Sequence, residues 1–129
     1  VEERVLELLN AKQITNFFFL DLSFPALIRL ARQGEKRLAV RVSEFAPAAQ
    51  ALRLAGMVEW VWVDCFTRFP LDRSTYEALK LSFRLCLVSP ELQKHPVERI
   101  TEFAHYLADM PFDAICTKRP DLWRQALGE

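Results

Sequence analysis

Five apolar stretches, each followed by a helical pattern, constrain this chain more than any other feature. They read NFFFLDLSF (16–24), RLAVRVSEF (37–45), VEWVWVDCF (58–66), FRLCLVS (83–89) and FDAICT (112–117). Their starts lie about 21 to 29 residues apart, room for one helix and two turns each time. Strand–helix–strand alternation at that spacing predicts parallel strands joined by right-handed crossovers. The stretches are dense in Val, Leu and Phe rather than strictly alternating, as expected where both faces of a sheet are covered. Punctuation agrees with this. Gly34 and Gly56 stop the first two helices, Asp72 caps the third, and Pro120 with Asp121 opens the last, over 120–127. A helical pattern, VEERVLELLNAK, precedes the first strand and begins in mid-amphipathic period at Val1.

The expectation is one α/β domain over 1–129, with five strands in sequential order. Two architectures satisfy it. One is the C-terminal part of a TIM-type barrel, a segment of a longer chain. The alternative is a five-stranded flavodoxin-like doubly wound sheet. With only three glycines, and no glycine-rich phosphate loop, a dinucleotide-binding site has nothing to rest on.

Composition excludes several classes. Seventeen basic residues balance seventeen acidic ones, so the chain lacks the electrostatic footprint of a nucleic-acid or anionic-membrane binder. No window reaches the roughly 18 apolar residues of a transmembrane segment. Three widely spaced cysteines, Cys65, Cys86 and Cys116, suit neither a disulfide framework nor a zinc site. Read as buried reduced thiols, they point to a cytoplasmic protein.

Strand parity nominates a site. In a barrel, apolar residues face the helices and polar groups at strand C-termini face the mouth. In VEWVWVDCF, the helix side takes Val61, Val63 and Cys65, leaving Trp60, Trp62 and Asp64 inside. In the second stretch Val40 and Val42 face out, and Ala39, Arg41 and Ser43 face in. In the first, Phe18, Leu20 and Leu22 face out, and Phe17, Phe19, Asp21 and Ser23 face in. Three neighbouring strands thus bring Asp21, Arg41 and Asp64 to one end, either as a buried ion-pair network or as a ligand site. Trp60 and Trp62 read as barrel filling, with Trp62 beside the site. Lys118 and Arg119 read as loop charges, with Lys118 a candidate phosphate contact. Glu91 is a candidate ligand group or the start of a short helix. His105, three residues after Glu102, reads as a surface pair, and Cys65 faces the helices with no histidine nearby in sequence.

The closing turn carries a resemblance. Thr117-Lys118-Arg119-Pro120-Asp121-Leu122 resembles the Thr-Asp-x-Pro-Asp-Leu turn that ends the last strand of glycerophosphodiester phosphodiesterases. These are (β/α)8 barrels of the phosphatidylinositol-phospholipase-C-like superfamily. LDLSFPALIRLAR (20–32) is similar to that family's mid-barrel strand and helix, and the order and lengths of all five units agree with its second half. The His-Arg-Gly strand end, the Glu-Asn metal site and the second histidine of the family's first half have no counterpart here. His95 and His105 lack the family's neighbours, Lys118 stands where the family has Asp, and CLVSPEL replaces a tryptophan motif.

The resemblance implies part of a phosphodiesterase-like barrel that hydrolyses a glycerophosphodiester or related phosphodiester, with its catalytic half outside this chain. A divalent cation, Mg or Ca, would be held mainly by that other half. Asp21, Arg41, Asp64, Trp62 and Lys118 would contact a small phosphodiester or sugar-phosphate. A noncatalytic barrel-derived binding domain, linked to surface polysaccharide metabolism, and a flavodoxin-like regulatory domain are the other readings. Unpaired edges of a partial barrel predict self-association or residence in a larger protein.

Overall fold

A computed structural model describes residues 1–129. Helix α1, Glu2–Ala11, starts the chain, and α2, Phe24–Arg32, follows. Strand β1 is Ala39–Val42, followed by α3, Ala48–Leu52; β2 is Trp60–Val63, followed by α4, Arg73–Lys80. Strand β3, Arg84–Val88, leads into a 3₁₀ turn at Pro90–Gln93 and α5, Arg99–Asp109. Strand β4, Ala114–Cys116, and α6, Pro120–Leu127, close the chain. The sheet is parallel throughout, in the order β1-β2-β3-β4.

Four strands form, not five. Of the stretch 16–24, only Phe19 pairs, in a parallel bridge to Leu38. Its N–H donates to the Arg37 carbonyl at 2.9 Å, and its carbonyl accepts from the Ala39 N–H at 2.9 Å. Two local choices end the ladder there. Asp21 takes a left-handed backbone, φ 62°, which no strand tolerates. Two residues on, the Ser23 hydroxyl accepts from the Ala26 N–H and caps α2, with Pro25 in its first turn.

Parity along this segment is also opposite to expectation. Phe18 and Leu20 pack with Trp60, while Phe19 packs on the helix side. Phe17 lies edge-on to Phe19, under the Arg37 guanidinium. Leu22 does reach the helix side. The left-handed residue between Leu20 and Leu22 resets the alternation, so Asp21 still arrives beside Arg41.

Elsewhere strand parity is as the sequence predicts. Val42, Val61, Val63, Cys65, Leu85 and Leu87 belong to one large core with Leu27 and Leu30 of α2, Leu79 of α4, Phe103 of α5 and Trp123 of α6. The opposite face carries a small cluster of Ala39, Trp60 and Cys86, packed by Phe18, Leu20, Trp62, Ala114 and Cys116. No helical residue takes part in that second cluster. A doubly wound sheet has helices on both faces and its first strand inside the order. With sequential order and one-sided helices, the flavodoxin-like alternative falls. Strand β4 has a neighbour on its β3 side alone, and β1 has only the Phe19 bridge on its outer edge. No helix is long and apolar enough to cross a membrane.

Candidate functional site

Asp64 is the fixed point of the site. It follows β2 directly, and its N–H extends the ladder to the Val42 carbonyl at 2.9 Å. Its side chain is only 2% exposed, so a bare charge there would be costly. Three N–H groups answer it. The Trp62 indole N–H and the Gln93 amide donate to Oδ1 at 3.3 and 3.2 Å, and Arg41 Nη1 donates to Oδ2. Gln93 comes from the 3₁₀ turn after β3, so three consecutive βα units meet on one carboxylate.

Arg41 bridges outward from there. Its Nε and Nη2 donate to the two oxygens of Asp21 at 2.6 and 2.7 Å, the bidentate geometry that suits a planar guanidinium. Asp21 is 58% exposed and Arg41 41% exposed. The pair shifts both groups toward their charged forms. The hydrogen bonds from Arg41 lower the Asp21 carboxyl. The hydrogen bonds to Asp21 raise the guanidinium most; burial opposes them, and the bond to Asp64 and the charges of both acids add to the rise. Two acids around one arginine leave the cluster formally one charge negative. Three of the five guanidinium N–H groups are used, so two remain for a ligand.

Trp60 and Trp62 line the same face. Phe18 packs on Trp60 with ring centroids 4.9 Å apart, and the Arg84 guanidinium lies 4.4 Å from its ring centroid. Trp60 is filling, whereas Trp62 both fills and holds Asp64.

A second set of residues, of which the sequence reading singled out none for this role, organises the rim beside this cluster. Glu44, two residues past β1, accepts from the backbone N–H groups of Phe66, Thr67 and Arg68 and from the Thr67 hydroxyl, at 2.6 to 3.1 Å. One carboxylate thereby shapes the β2–α4 loop. The His95 ring spans the next gap, with Nε2 2.7 Å from the Phe66 carbonyl and Nδ1 3.1 Å from Arg99 Nη1. A carbonyl only accepts and a guanidinium only donates, so the proton sits on Nε2 and the lone pair on Nδ1. That ring is committed to structure. An acidic residue just past one strand, with Thr just past the next, was the available signal for Glu44; nothing local marks His95.

Partial burial raises the Glu44 carboxyl, but the Thr67 and Phe66 donors outweigh it and hold it at about 2. A carboxyl depressed on folding contributes stability above its unfolded pKa and loses it as pH falls through the folded one. The window here runs from about 4.5 down to about 2. Linkage sets a ceiling of about 3 kcal/mol, and solvent screening of this half-buried group reduces it to ~1–2 kcal/mol. Glu44→Gln should therefore be less stable than wild type in urea at pH 7 by that amount. The gap should narrow below about pH 4.5 and close near pH 2, and a gap independent of pH would contradict this assignment.

The charged corner after β4 has its own carboxylate. Glu91 accepts from the Thr117 hydroxyl at 2.6 Å, from the Lys118 N–H at 2.9 Å and from the Ser89 hydroxyl. Burial raises its carboxyl, but these donors carry it below its ordinary value. The Trp123 indole N–H donates to Ser89 Oγ at 2.8 Å in the buried interior. Arg119 pairs with Asp121 at 2.9 Å, and the Lys118 side chain is exposed and makes no ion pair. The structure brings together Asp21, Arg41, Asp64 and Trp62. It does not bring Lys118 to them.

Other candidates are spent or remote. His105 is exposed on α5. Burial pushes the Cys65 thiol far up and the Cys86 thiol up to about 12, so neither is a nucleophile. No group of His, Cys, Asp and Glu is arranged to hold a metal ion. Both oxygens of Asp64, and both of Asp21, already accept N–H groups, a donor set that does not fit a divalent cation. Compared with protein-family models, curated proteins and solved structures, the chain matches none.

Proposed function

We propose that this chain is the C-terminal portion of a phosphodiesterase-like barrel and contributes the substrate-binding side of its mouth. The observation that carries the reading is the Asp21–Arg41–Asp64–Trp62 cluster at the C-terminal ends of sequentially ordered parallel strands whose helices all lie on one face. Polar groups in that position face the mouth of a parallel barrel, where its ligands bind. In this reading Arg41 contacts the phosphoryl oxygens of a glycerophosphodiester or sugar-phosphate through its guanidinium N–H groups. Asp64, Trp62 and Gln93 fix the arginine from behind. A divalent cation would be held by residues outside this chain, since the carboxylates here are engaged. Lys118 would act from the far side of the mouth through its exposed ammonium.

General acid–base chemistry needs a titrating group aimed at the substrate. His95 is hydrogen-bonded at both nitrogens and His105 points to solvent, so the chain by itself is a binding element. We expect calorimetric titration with a glycerophosphodiester to give saturable binding, weakened about tenfold or more in Arg41→Lys, where the bidentate fork is lost. We also expect no hydrolysis with Mg or Ca added. Metal-dependent turnover abolished by Asp64→Asn would show that the active site was misplaced.

A further inference from the structure

Asp21 lines a cleft of about 470 Å³ between α2, β1 and α3. The apolar wall is formed by Phe24, Leu27 and Leu54, and Phe24 is 66% exposed. The polar lining is Arg41, Gln50 and Arg53. Gln50 and Arg53 are exposed, and their side chains make no hydrogen bond or ion pair within the chain. Apart from Asp21, every charged group lining this cleft is cationic.

The two acids on Arg41 are not equivalent. Asp64 is buried, holds three N–H donors and belongs to the sheet. Asp21 is exposed, has hydrogen bonds from Arg41 alone and stands on a segment that has left the sheet. Its left-handed backbone is easy for Asp, Asn and Gly and unfavourable for bulky residues. Its two oxygens occupy Nε and Nη2, the edge of a guanidinium that takes a phosphate or carboxylate side-on.

We propose that Asp21 is an internal stand-in for an anionic ligand, and that the cleft binds a small organic anion with a bidentate oxyanion head and an apolar body. The head, a phosphate ester or carboxylate, displaces Asp21 from Arg41 and is reached by Arg53 and Gln50. The apolar body packs on Phe24, Leu27 and Leu54. This deepens the reading of the mouth given above and rests on Arg41 being available to a ligand. An internal competitor lowers apparent affinity by the fraction of time it vacates the site. Removing its charge therefore raises affinity without any new contact.

The test uses the intact chain and three probes: inorganic phosphate, phenyl phosphate and benzoate. Asp21→Asn and Asp21→Gly both tolerate φ 62°, and thermal melts would confirm folding. Each variant should bind phenyl phosphate about tenfold more tightly than wild type. Inorganic phosphate should bind more weakly throughout, since it lacks the apolar body, yet gain by about the same factor, and benzoate separates a carboxylate head from a phosphate head. Adding Arg53→Ala should reverse most of the gain. Asp109→Asn, which removes an exposed and unpaired acid on α5, should give none.

Equal affinity in wild type and Asp21→Asn would overturn the proposal, as would an equal gain in Asp109→Asn. A gain that ignores Arg53 would overturn the cleft as the ligand's location. Unchanged phenyl phosphate binding alongside intact glycerophosphodiester binding would sink the stand-in alone. A gain for phenyl phosphate with no diester binding in any variant would sink the mouth reading and leave the stand-in standing.

Discussion

Arg41→Met is expected to destabilise the protein by about 3–5 kcal/mol, the cost of leaving a buried ion without its partner. The arginine is half-exposed, and its bond to the exposed Asp21 contributes little. The loss comes from Asp64, at 2% exposure, which would keep two neutral N–H donors and lose the only positive charge in contact with it. A domain of this size is held by roughly 5–15 kcal/mol in total, so urea denaturation should show partial or complete unfolding. Arg41→Met combined with Asp64→Asn should recover a good part of the loss, because the amide still accepts from Trp62 and Gln93 without a charge to solvate. Asp21→Asn alone should cost under about 1 kcal/mol. If Arg41→Met proved as mild as Asp21→Asn, Asp64 would not depend on the guanidinium, and the cluster would be a surface feature.

The second large effect belongs to Trp123. It is 3% exposed on α6, packs into the main core and donates its indole N–H to Ser89 at the end of β3. Trp123→Ala should cost about 3–5 kcal/mol, from lost burial and the cavity left behind. Trp123→Phe keeps most of the apolar volume and removes only the donor, for about 1–2 kcal/mol. The two variants separate packing from hydrogen bonding at the corner where Ser89, Glu91 and Thr117 meet. Equal losses in both would mean that the hydrogen bond, not the packing, docks α6.

Trp123 also closes the charged corner that follows the apolar Ala114–Cys116 strand. Thr117 and the Lys118 N–H are consumed by Glu91, Arg119 turns back on Asp121, and Trp123 re-enters the core. The corner is a strand-to-helix turn built around the half-buried Glu91 carboxylate. Its lysine needs no ligand to explain it.

Much of the fold was readable because it follows from period and punctuation. Val40 with Val42, and Val61 with Val63 and Cys65, announce a helix-facing side, and the register places Arg41 opposite Trp62 as that parity requires. Asp72 caps α4 with its carboxylate 2.8 Å from the Thr75 N–H, and Pro120 opens α6. The first strand misled because NFFFLDLSF is apolar enough for a strand, while a left-handed aspartate leaves no mark in hydrophobic pattern. Asp21 reached Arg41 nonetheless, by a backbone reversal rather than by the parity assigned to it.

The rim was less legible. Glu44, Gln93 and His95 stand in loops, and what they touch is set by which loops the sheet order brings together. Gln93 meets Asp64 across 29 positions of sequence, and His95 meets Phe66 across 29. No local spacing encodes such contacts. Arg41, Asp64 and Trp62 were visible because a strand fixes the direction of each side chain to within one face.

Nitrogen–proton NMR on the uniformly labelled chain can show whether a phosphodiester binds at the Arg41–Asp64–Trp62 cluster, as we propose. The Trp62 indole N–H and the Arg41 Nε–H report on the two sides of the cluster, and the Trp123 indole provides a buried internal control. Titration with a glycerophosphodiester is predicted to shift the Arg41 and Trp62 signals along one saturable curve and leave Trp123 unmoved. Arg41 and Trp62 signals that stay fixed while the Thr117–Arg119 amides shift, or no saturable shift anywhere, would contradict it.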